Sequence, residues 1–266
     1  MMKLHGFMVG SIVLMVTAGA AFGQETASSA MVTDRPGLLF SSLTVGRGVL
    51  LAELGVPSVS LNEISDVKFR TTSLVALLRY GVSANVELRL GSLYSQSRID
   101  FGPGDLTDSG FGDVEVGAKW HVLDNAGSRP SFALIPSVML PTGDDGFSAE
   151  DPVYQLNAMS EWTLSNGCGI GALVGVLNGP AGNDDRYFQE TFGLSAGRSL
   201  PSPAWSAYGE VVYVVTDLDG AENSKFLGGG IKLLMSNDFQ LDLSFDRGLT
   251  DASTDWLLGF GASVRF

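Results

Sequence analysis

From residue 48 to the C-terminus, apolar side chains recur at every second position of short runs, and this alternation restricts the folds open to the chain. In one run, Leu241 and Leu243 share one face while Gln240 and Asp242 share the other. Hydrophobic residues reach 45%, yet after residue 23 no stretch approaches the ~18 uninterrupted apolar residues that a membrane helix needs. A period of two predicts β-strands that each have an apolar and a polar face.

We count twelve such runs, and the connections between them alternate in length. The runs lie near residues 48–56, 67–80, 86–96, 111–122, 131–141, 153–164, 169–177, 187–198, 205–215, 225–235, 239–247 and 256–266. Connections after the even-numbered runs are short, as at Gly81–Asn85, whereas those after the odd-numbered runs tend to be longer, as at Ser97–Gly110. Short turns on one side and long loops on the other are typical of outer-membrane barrels. Residues 47–266 are therefore predicted to form an all-β, transmembrane, antiparallel up-and-down β-barrel of about 12 strands.

A soluble β-sandwich also alternates, with its apolar face inward, so the surroundings of the apolar face decide the class. The polar faces here carry small residues and charges of both signs, as a narrow polar lumen does. Aromatic residues recur near the ends of the runs, where their rings suit the level of the lipid headgroups. They are Tyr80, Tyr94, Trp120, Tyr154, Trp162, Tyr187, Trp205, Tyr213 and Trp256. Both features favour lipid outside the barrel.

Pro136 lies in the middle of the fifth run. Proline has no N–H to donate to a strand ladder, and a closed barrel has no free edge where this would be harmless. We expect a bulge or a break in the ladder at this position.

The N-terminus has the features of a secretory signal peptide over residues 1–23. Lys3 supplies a positive charge, Phe7–Val16 is a short apolar core, and Ala21–Gly23 provides small residues before a cleavage site. The following segment, residues 24–46, is weakly patterned. We expect it to lie in the periplasm or to be tucked into the lumen.

Charged side chains on the polar phase predict what lines the lumen. They are Glu53, Arg79, Glu87, Arg89, Asp113, Glu115, Lys119, His121, Glu161, Glu210, Lys232, Asp242, Asp246 and Arg265. Across the Gly81–Asn85 turn, we expect Arg79 to face Glu87 directly and Arg89 to lie diagonal to Glu87. Such cross-strand pairs contribute about 0.2–1 kcal/mol each on an exposed sheet face. Two interpretations stay open: the charges brace the wall, or some of them line a path and select the solute.

Several functional classes are disfavoured by composition. The net charge is −13 and no Lys/Arg cluster is present, which argues against a nucleic-acid partner. The single cysteine, Cys168, allows no internal disulfide, and after the signal peptide His121 is the one histidine, so we expect no metal site and no cofactor. An outer-membrane lipid enzyme that pairs Ser with His has only His121 available, and no serine motif stands beside it. We therefore predict no catalytic residues.

The longer connections collect Asp and Glu, as at Asp144, Asp145, Glu150 and Asp151. Acidic loops of this kind keep a surface solvated. They also fit binding of divalent cations that bridge to lipopolysaccharide, or a bias of entry toward cations and neutral compounds.

Several motifs occur in the order found in a known family. Leu77–Gly81 followed by Val86–Gly91, then Gly110–Asp113, Pro136–Gly143 and the ending Gly261–Phe266, resemble the outer-membrane proteins named for the meta-pathway of phenol degradation. The resemblance covers about residues 33–266. It implies an outer-membrane barrel that passes hydrophobic or aromatic compounds.

The chain ends on Phe266 after apolar residues at every second position, which resembles the signal read by the outer-membrane assembly machinery through strand addition. We expect a protein of the bacterial outer membrane that contacts lipid and lipopolysaccharide. Its expected function is a passive pore or uptake channel for small, hydrophobic or aromatic solutes. The alternatives are a structural or surface-interaction barrel with a plugged lumen and an outer-membrane lipid-modifying enzyme.

Overall fold

The computed structural model describes residues 30–182 and 185–266, and these residues form β-strands, turns and irregular connections. The predicted signal peptide, residues 1–23, lies outside the described residues. In the described ranges there is no helix long and apolar enough to cross a bilayer.

Thirteen strands follow one another along the chain. They are β1 (Leu50–Ile64), β2 (Val67–Gly81), β3 (Val86–Asp100), β4 (Asp105–Phe111), β5 (Val114–Leu123), β6 (Ser131–Leu140), β7 (Val153–Thr163), β8 (Cys168–Gly182), β9 (Asp185–Ser199), β10 (Trp205–Asp217), β11 (Ser224–Ser236), β12 (Phe239–Gly248) and β13 (Trp256–Arg265). Strands next to each other in the chain pair antiparallel, apart from β4 and β5, which both pair with β3.

The sheet closes because β1 pairs with both β2 and β13. Twelve strands form the closed ring, and β4 is an extra strand beside the far half of β3. The prediction of an antiparallel barrel of about twelve strands is confirmed. We call the end where β1 begins and β13 ends the base of the barrel, and the opposite end the top.

The fourth run of the sequence is divided between two strands. β4 pairs with β3 from Tyr94 to Asp100, and β5 pairs with β3 from Val86 to Gly91. The break falls at Gly112, where the Leu93 side chain fills the space that a Cβ atom would need. The partner of β3 therefore changes from β5 to β4 near a glycine, whose missing side chain lets Leu93 approach closely.

The connections at the top are shorter than the sequence suggested. β1 and β2 are joined through Ser65 and Asp66, which both have positive φ, as in a tight hairpin turn. The long loop expected at Ser97–Gly110 is wrong, because most of it forms the hairpin of β3 and β4. The polar composition of β4 therefore does not mark an irregular loop.

The two faces of the wall differ as a membrane barrel requires. Outward side chains are apolar and exposed, with Leu88 at 53%, Leu243 at 49% and Phe260 at 46% of their full accessible area. Inward charged side chains such as Arg79 and Lys119 are fully buried inside the ring. A soluble sandwich would have the opposite arrangement, so the outer surface is suited to hydrocarbon.

Pro136 interrupts one ladder and leaves the other intact. Its pairing with Leu156 of β7 is in register, whereas the β5–β6 ladder has no pair between Gly117–Ser137 and Trp120–Leu134. The interruption spans the position opposite Pro136, in agreement with the break expected from its missing N–H. The strand continues in the same register on either side.

The outer surface makes a direct stability prediction. Leu243 lies at the centre of β12, and Leu249 lies just beyond its end with a similar exposure. We expect Leu243→Arg to lower the free energy of unfolding in lipid vesicles by about 2–4 kcal/mol, because it places a cation in the hydrocarbon layer. Leu249→Arg should cost about 0–1 kcal/mol. Urea titration of the vesicle-inserted variants measures both, and equal costs at the two positions would contradict a lipid-facing β12.

Candidate functional site in the barrel lumen

Residues 30–46, which we call the lead-in segment, run inside the ring near its base. The backbone N–H of Met31 donates to Asn237 in the turn between β11 and β12. At the other end, the N–H of Val45 donates to Glu87, and the Thr44 hydroxyl donates to the carbonyl of Ala84 in the β2–β3 turn. The segment therefore crosses the lumen from one side of the wall to another before it enters β1.

Asp34 is the central anchor of the lead-in segment. Its Oδ1 atom accepts from Lys119 Nζ at 2.7 Å and from the N–H of Ser41 at 3.0 Å. Its Oδ2 atom accepts from Arg89 Nη1 at 2.5 Å, and Arg79 Nη1 lies 3.5 Å from Oδ1. Asp34 thus joins three strands of the wall, β2, β3 and β5, through one buried carboxylate.

Two wall carboxylates complete this charged network. Arg79 donates from Nε to Glu87 at 2.8 Å and from Nη1 to Glu53 at 2.8 Å. Glu53 also accepts the backbone N–H groups of Asp34 and Arg35, at 3.0 and 2.8 Å. The wall therefore binds both the side chain of Asp34 and the backbone around it.

The predicted register of the β2–β3 hairpin is wrong by one pair. Arg79 lies directly opposite Arg89, and Glu87 lies opposite Gly81, so Arg79 and Glu87 meet diagonally. The diagonal position expected for Arg89 relative to Glu87 is also wrong, because both residues are on β3, two positions apart. The turn holds fewer unpaired residues than the prediction assumed, since the N–H groups of Val82 and Ser83 both bond to the carbonyl of Val86. Two arginines opposite each other would repel, but Glu87 and the lead-in carboxylate lie between them.

The charge of Asp34 follows from these neighbours. Burial by itself raises the pKa of the Asp34 carboxyl. The three cations Arg79, Lys119 and Arg89 outweigh burial and hold this pKa well below its usual range. Asp34 is therefore an ionised partner for the cations of the wall at neutral pH.

Arg35 forms a second anchor on the opposite part of the wall. Its Nη2 atom donates to Asp242 of β12 at 2.9 Å. A Cβ atom at Gly55 would lie 2.6 Å from Arg35 Nη1, and one at Gly261 would overlap the guanidinium group. Glycine at these two positions lets the Arg35 side chain lie flat against β1 and β13.

Further along the lead-in segment, two more wall acids bind its backbone. The N–H of Leu38 lies 3.0 Å from both carboxylate oxygens of Glu210. The N–H of Ser42 donates to Glu161 at 2.6 Å, and the Ser42 hydroxyl also bonds to this carboxylate. Lys232 is buried on the same inner face. The acids of β7 and β10 thus fix the course of the segment across the lumen.

An apolar cluster lies beside these polar anchors. It contains Leu39 and Phe40 of the lead-in segment and the inward side chains of Ile135, Met159, Leu173 and Val212. The predicted lumen residues were the charged ones of the inward phase, and these apolar side chains were missed. Their signal was present, since Met159 is two positions from Glu161 and so points to the same side of β7.

Three predicted lumen residues lie at the ends of the wall. Asp113 is in the break between β4 and β5, where its carboxylate accepts the N–H groups of three residues in the loop after β6, namely Thr142, Gly143 and Ala149. Glu115 is half-buried near the start of β5. Arg265 bonds to Asp238 at the base through Nε, at 2.6 Å. That these three residues line a path for the solute stays a prediction.

His121 is held by two oxygen atoms. Its Nδ1 atom lies 2.9 Å from the carbonyl oxygen of Ser42, and its Nε2 atom lies 2.9 Å from Asp124 Oδ1. Both ring nitrogens are occupied, so neither is left to take a proton from a serine hydroxyl. His121 therefore contributes to holding the lead-in segment.

At the base, the last residue completes the closure of the ring. The N–H of Phe266 donates to the carbonyl of Leu50, and the Phe266 side chain is 75% exposed. An exposed terminal ring beside the β1–β13 seam is accessible to a partner. Its role as an assembly signal stays a prediction.

The lead-in segment and the barrel together extend from residue 30 to the C-terminus. One protein family matches nearly all of this part of the chain. The family described as "Putative MetA-pathway of phenol degradation" matches residues 33–266. The chain belongs to this family. No curated protein matches the chain in sequence.

Solved structures share the fold of this family member. The COG4313 outer membrane channel from Pseudomonas putida F1 superimposes with a TM-score of 0.65 at 14% identity, over 88% of this chain and 100% of that one. The NanC porin gives a TM-score of 0.53 at 10% identity, over 82% of this chain and 98% of that one. The translocator domain of the autotransporter NalP from Neisseria meningitidis gives 0.52 at 11% identity, over 83% and 88%. At such identities, the likeness shows a common barrel fold.

The Asp34 network predicts how the lead-in segment responds to mutation. Asp34→Asn removes a buried anion and leaves the three wall cations with the charges of Glu53 and Glu87, an imbalance that typically costs about 3–5 kcal/mol. We expect the segment to leave the wall and its buried Phe40 to become a site for chymotrypsin. Asp219→Asn is the control, because Asp219 is exposed in the connection between β10 and β11. Equal protection of Phe40 in both variants would contradict the anchoring role of Asp34.

Proposed function

We propose that this protein is a channel of the bacterial outer membrane that passes small, uncharged, mainly apolar compounds. The observation that carries the proposal is the make-up of the lumen, where buried ion pairs stand beside a patch of apolar side chains. The ion pairs hold the lead-in segment in place, and the apolar patch supplies a surface for the solute. The matching barrels are an outer membrane channel and a porin by name, which supports the same class of function.

The apolar patch favours a solute without charge. Ile135, Met159 and Leu173 face the interior of the ring and are at most 3% exposed because they pack with Leu39 and Phe40, so a solute reaches them when the lead-in segment moves. An ion that passes such a surface gives up hydration without gaining a partner, which costs far more than the transfer of an apolar solute. Aromatic or aliphatic compounds of low polarity are therefore the proposed cargo.

The lead-in segment sets the width of the passage in this proposal. A twelve-stranded ring is wider than the eight-stranded barrels that side chains can fill, and narrower than porins. The lead-in segment occupies part of that width near the base. Movement of this segment is the step that would widen the bore.

The location and partners of the protein belong to the same proposal. The exposed apolar wall fits a bilayer, and Trp120 and Trp205 at the base with Tyr154 and Trp256 toward the top suit the two headgroup levels. We infer contact with lipopolysaccharide at the top and recognition of the Phe266 strand by the assembly machinery. No catalytic role is proposed, because both His121 nitrogens are occupied.

A structural barrel with a closed lumen is the second candidate. Its supporting observation is the number of buried carboxylates that bind the lead-in segment, since Glu53, Glu161 and Glu210 all accept its N–H groups. In a closed barrel, the segment would stay bound and no solute would pass. Solute entry into cells distinguishes the two functions.

Uptake by cells that contain or lack the protein tests the channel. We expect wild-type protein to raise the rate of entry of phenol and to leave that of glycerol unchanged, because the apolar patch favours the aromatic solute. Removal of residues 31–44 should raise entry of both solutes, since the wider ring then fills with water. The control variant Asp219→Asn should behave as wild type.

Two results would decide against the channel. Entry of phenol that is the same with and without the protein, together with a rise after removal of residues 31–44, would identify a closed structural barrel. No rise for either solute in any variant that folds and inserts would exclude a passage through this ring.

A further inference from the structure

Two glycines in β11 bring polar side chains of the neighbouring strands together. Gly228 lies between Glu210 of β10 and Asp246 of β12 in the paired row. Two positions nearer the base, Gly230 lies between Tyr208 and Ser244. Since both glycines belong to the inward phase, the side chains on either side converge above them inside the ring.

Glycine is required at both positions. A Cβ atom at Gly228 would overlap Asp246 Oδ1, and one at Gly230 would lie 2.8 Å from the hydroxyl oxygen of Tyr208. A side chain in the middle strand would therefore displace both flanking groups. Because β11 has no side chains at these two positions, Tyr208 and Asp246 can both lie over its backbone.

Two of the converging atoms are buried and have no hydrogen-bond partner among residues 30–182 and 185–266. They are the hydroxyl oxygen of Tyr208 and Oδ1 of Asp246. The neighbouring acid differs, because Glu210 accepts the N–H of Leu38 with both oxygens. It also shares a hydrogen bond with Asp246, which requires a proton on one of the two carboxyls. A buried donor or acceptor without a partner is costly, and native proteins rarely leave one in place without a functional reason.

The next paired row toward the top is apolar. It contains Val212 and Phe226, which belong to the apolar cluster of the lumen together with Val214. A molecule that touches both rows therefore meets a hydrocarbon surface and, within one strand step, a carboxylate oxygen and a phenol hydroxyl. This combination orients a solute that has an apolar body and one polar end.

We propose that Tyr208 and Asp246 form a binding site for the hydroxyl group of a neutral aromatic or aliphatic alcohol or phenol, whose apolar body contacts Val212 and Phe226. The solute hydroxyl donates to Asp246 Oδ1 and accepts from the Tyr208 hydroxyl. Both atoms are covered in this structure, so the solute reaches them when the lead-in segment, which binds the adjacent Glu210 through Leu38, moves aside. This inference rests on the proposed channel function and names the solute class at one place in its lumen.

The charges around the site argue for a hydroxyl rather than other polar groups. A carboxylate solute would meet the Glu210–Asp246 pair, which shares one proton and keeps one negative charge, and this charge repels it. An ammonium group could donate to Asp246, but it has no acceptor for the Tyr208 hydroxyl. A hydroxyl both donates and accepts, so it satisfies both atoms at once.

Equilibrium dialysis with the full mature protein in lipid nanodiscs tests the site. Benzyl alcohol is the probe, and toluene, which has the same ring without the hydroxyl, is its matched control. The amount of probe that dissolves in the lipid is the same for all variants, because the nanodiscs are identical, so it does not affect the comparison between them. We compare wild type with Tyr208→Phe and Asp246→Asn. Tyr213→Phe is the control variant, because its hydroxyl accepts from Asn223 in an exposed pair away from the lumen site.

We expect Tyr208→Phe and Asp246→Asn each to weaken saturable binding of benzyl alcohol about tenfold, the usual effect of losing one buried hydrogen bond that involves a charged network. Binding of toluene should change little in either variant. Tyr213→Phe should bind both probes as wild type does.

Unchanged binding of benzyl alcohol in Tyr208→Phe and Asp246→Asn would overturn the site and identify ordered water as the partner of these atoms. So would equal losses for benzyl alcohol and toluene, which indicate a change of packing. Entry of phenol into cells, measured on the same variants, separates this failure from that of the channel. If wild type still speeds entry, the channel function stands and the hydroxyl site alone is wrong.

Discussion

The structure depends on the balance of charge inside the ring. On β2, β3 and β5 the wall places three cations, Arg79, Arg89 and Lys119, beside two carboxylates, Glu53 and Glu87. The lead-in segment supplies the third carboxylate, Asp34, which contacts all three cations. Since an unpaired buried charge costs several kcal/mol, about 3–5 kcal/mol when one partner of a pair is removed, the lead-in segment is part of the folded barrel.

This balance links the architecture to the proposed transport. The same short segment that neutralises the wall also carries Leu39 and Phe40 into the lumen, where they extend the apolar surface of Ile135 and Met159. The polar contacts therefore decide where the apolar surface lies. A solute that competes for the apolar contacts favours displacement of the segment, and the ion pairs oppose it, so binding of cargo and position of the segment are coupled.

Most strands of the barrel can be predicted from local sequence patterns, but the path of the lead-in segment through the lumen cannot. A period of two identifies the strands and their inward phase, which is why Glu53, Arg79 and Asp242 were expected inside. The register of the β2–β3 hairpin depends on how the turn at Val82 and Ser83 is bonded, and alternation carries no information about that. The course of residues 30–46 is set by contacts with β-strands up to about two hundred positions away in sequence, as with Arg35 and Asp242. Local patterns cannot predict such contacts.

The central claim is that the lead-in segment crosses the lumen and contacts the wall at β6. The hydroxyl oxygens of Ser42 and Ser131 lie 2.7 Å apart. In a protein whose free cysteine is replaced by Cys168→Ser, the double variant Ser42→Cys and Ser131→Cys should form a disulfide in the folded barrel, visible by electrophoresis. The pair Ser42→Cys and Ser263→Cys, with its second position on β13, should stay reduced. Free, alkylated thiols at both Ser42 and Ser131 in the folded barrel would contradict the account.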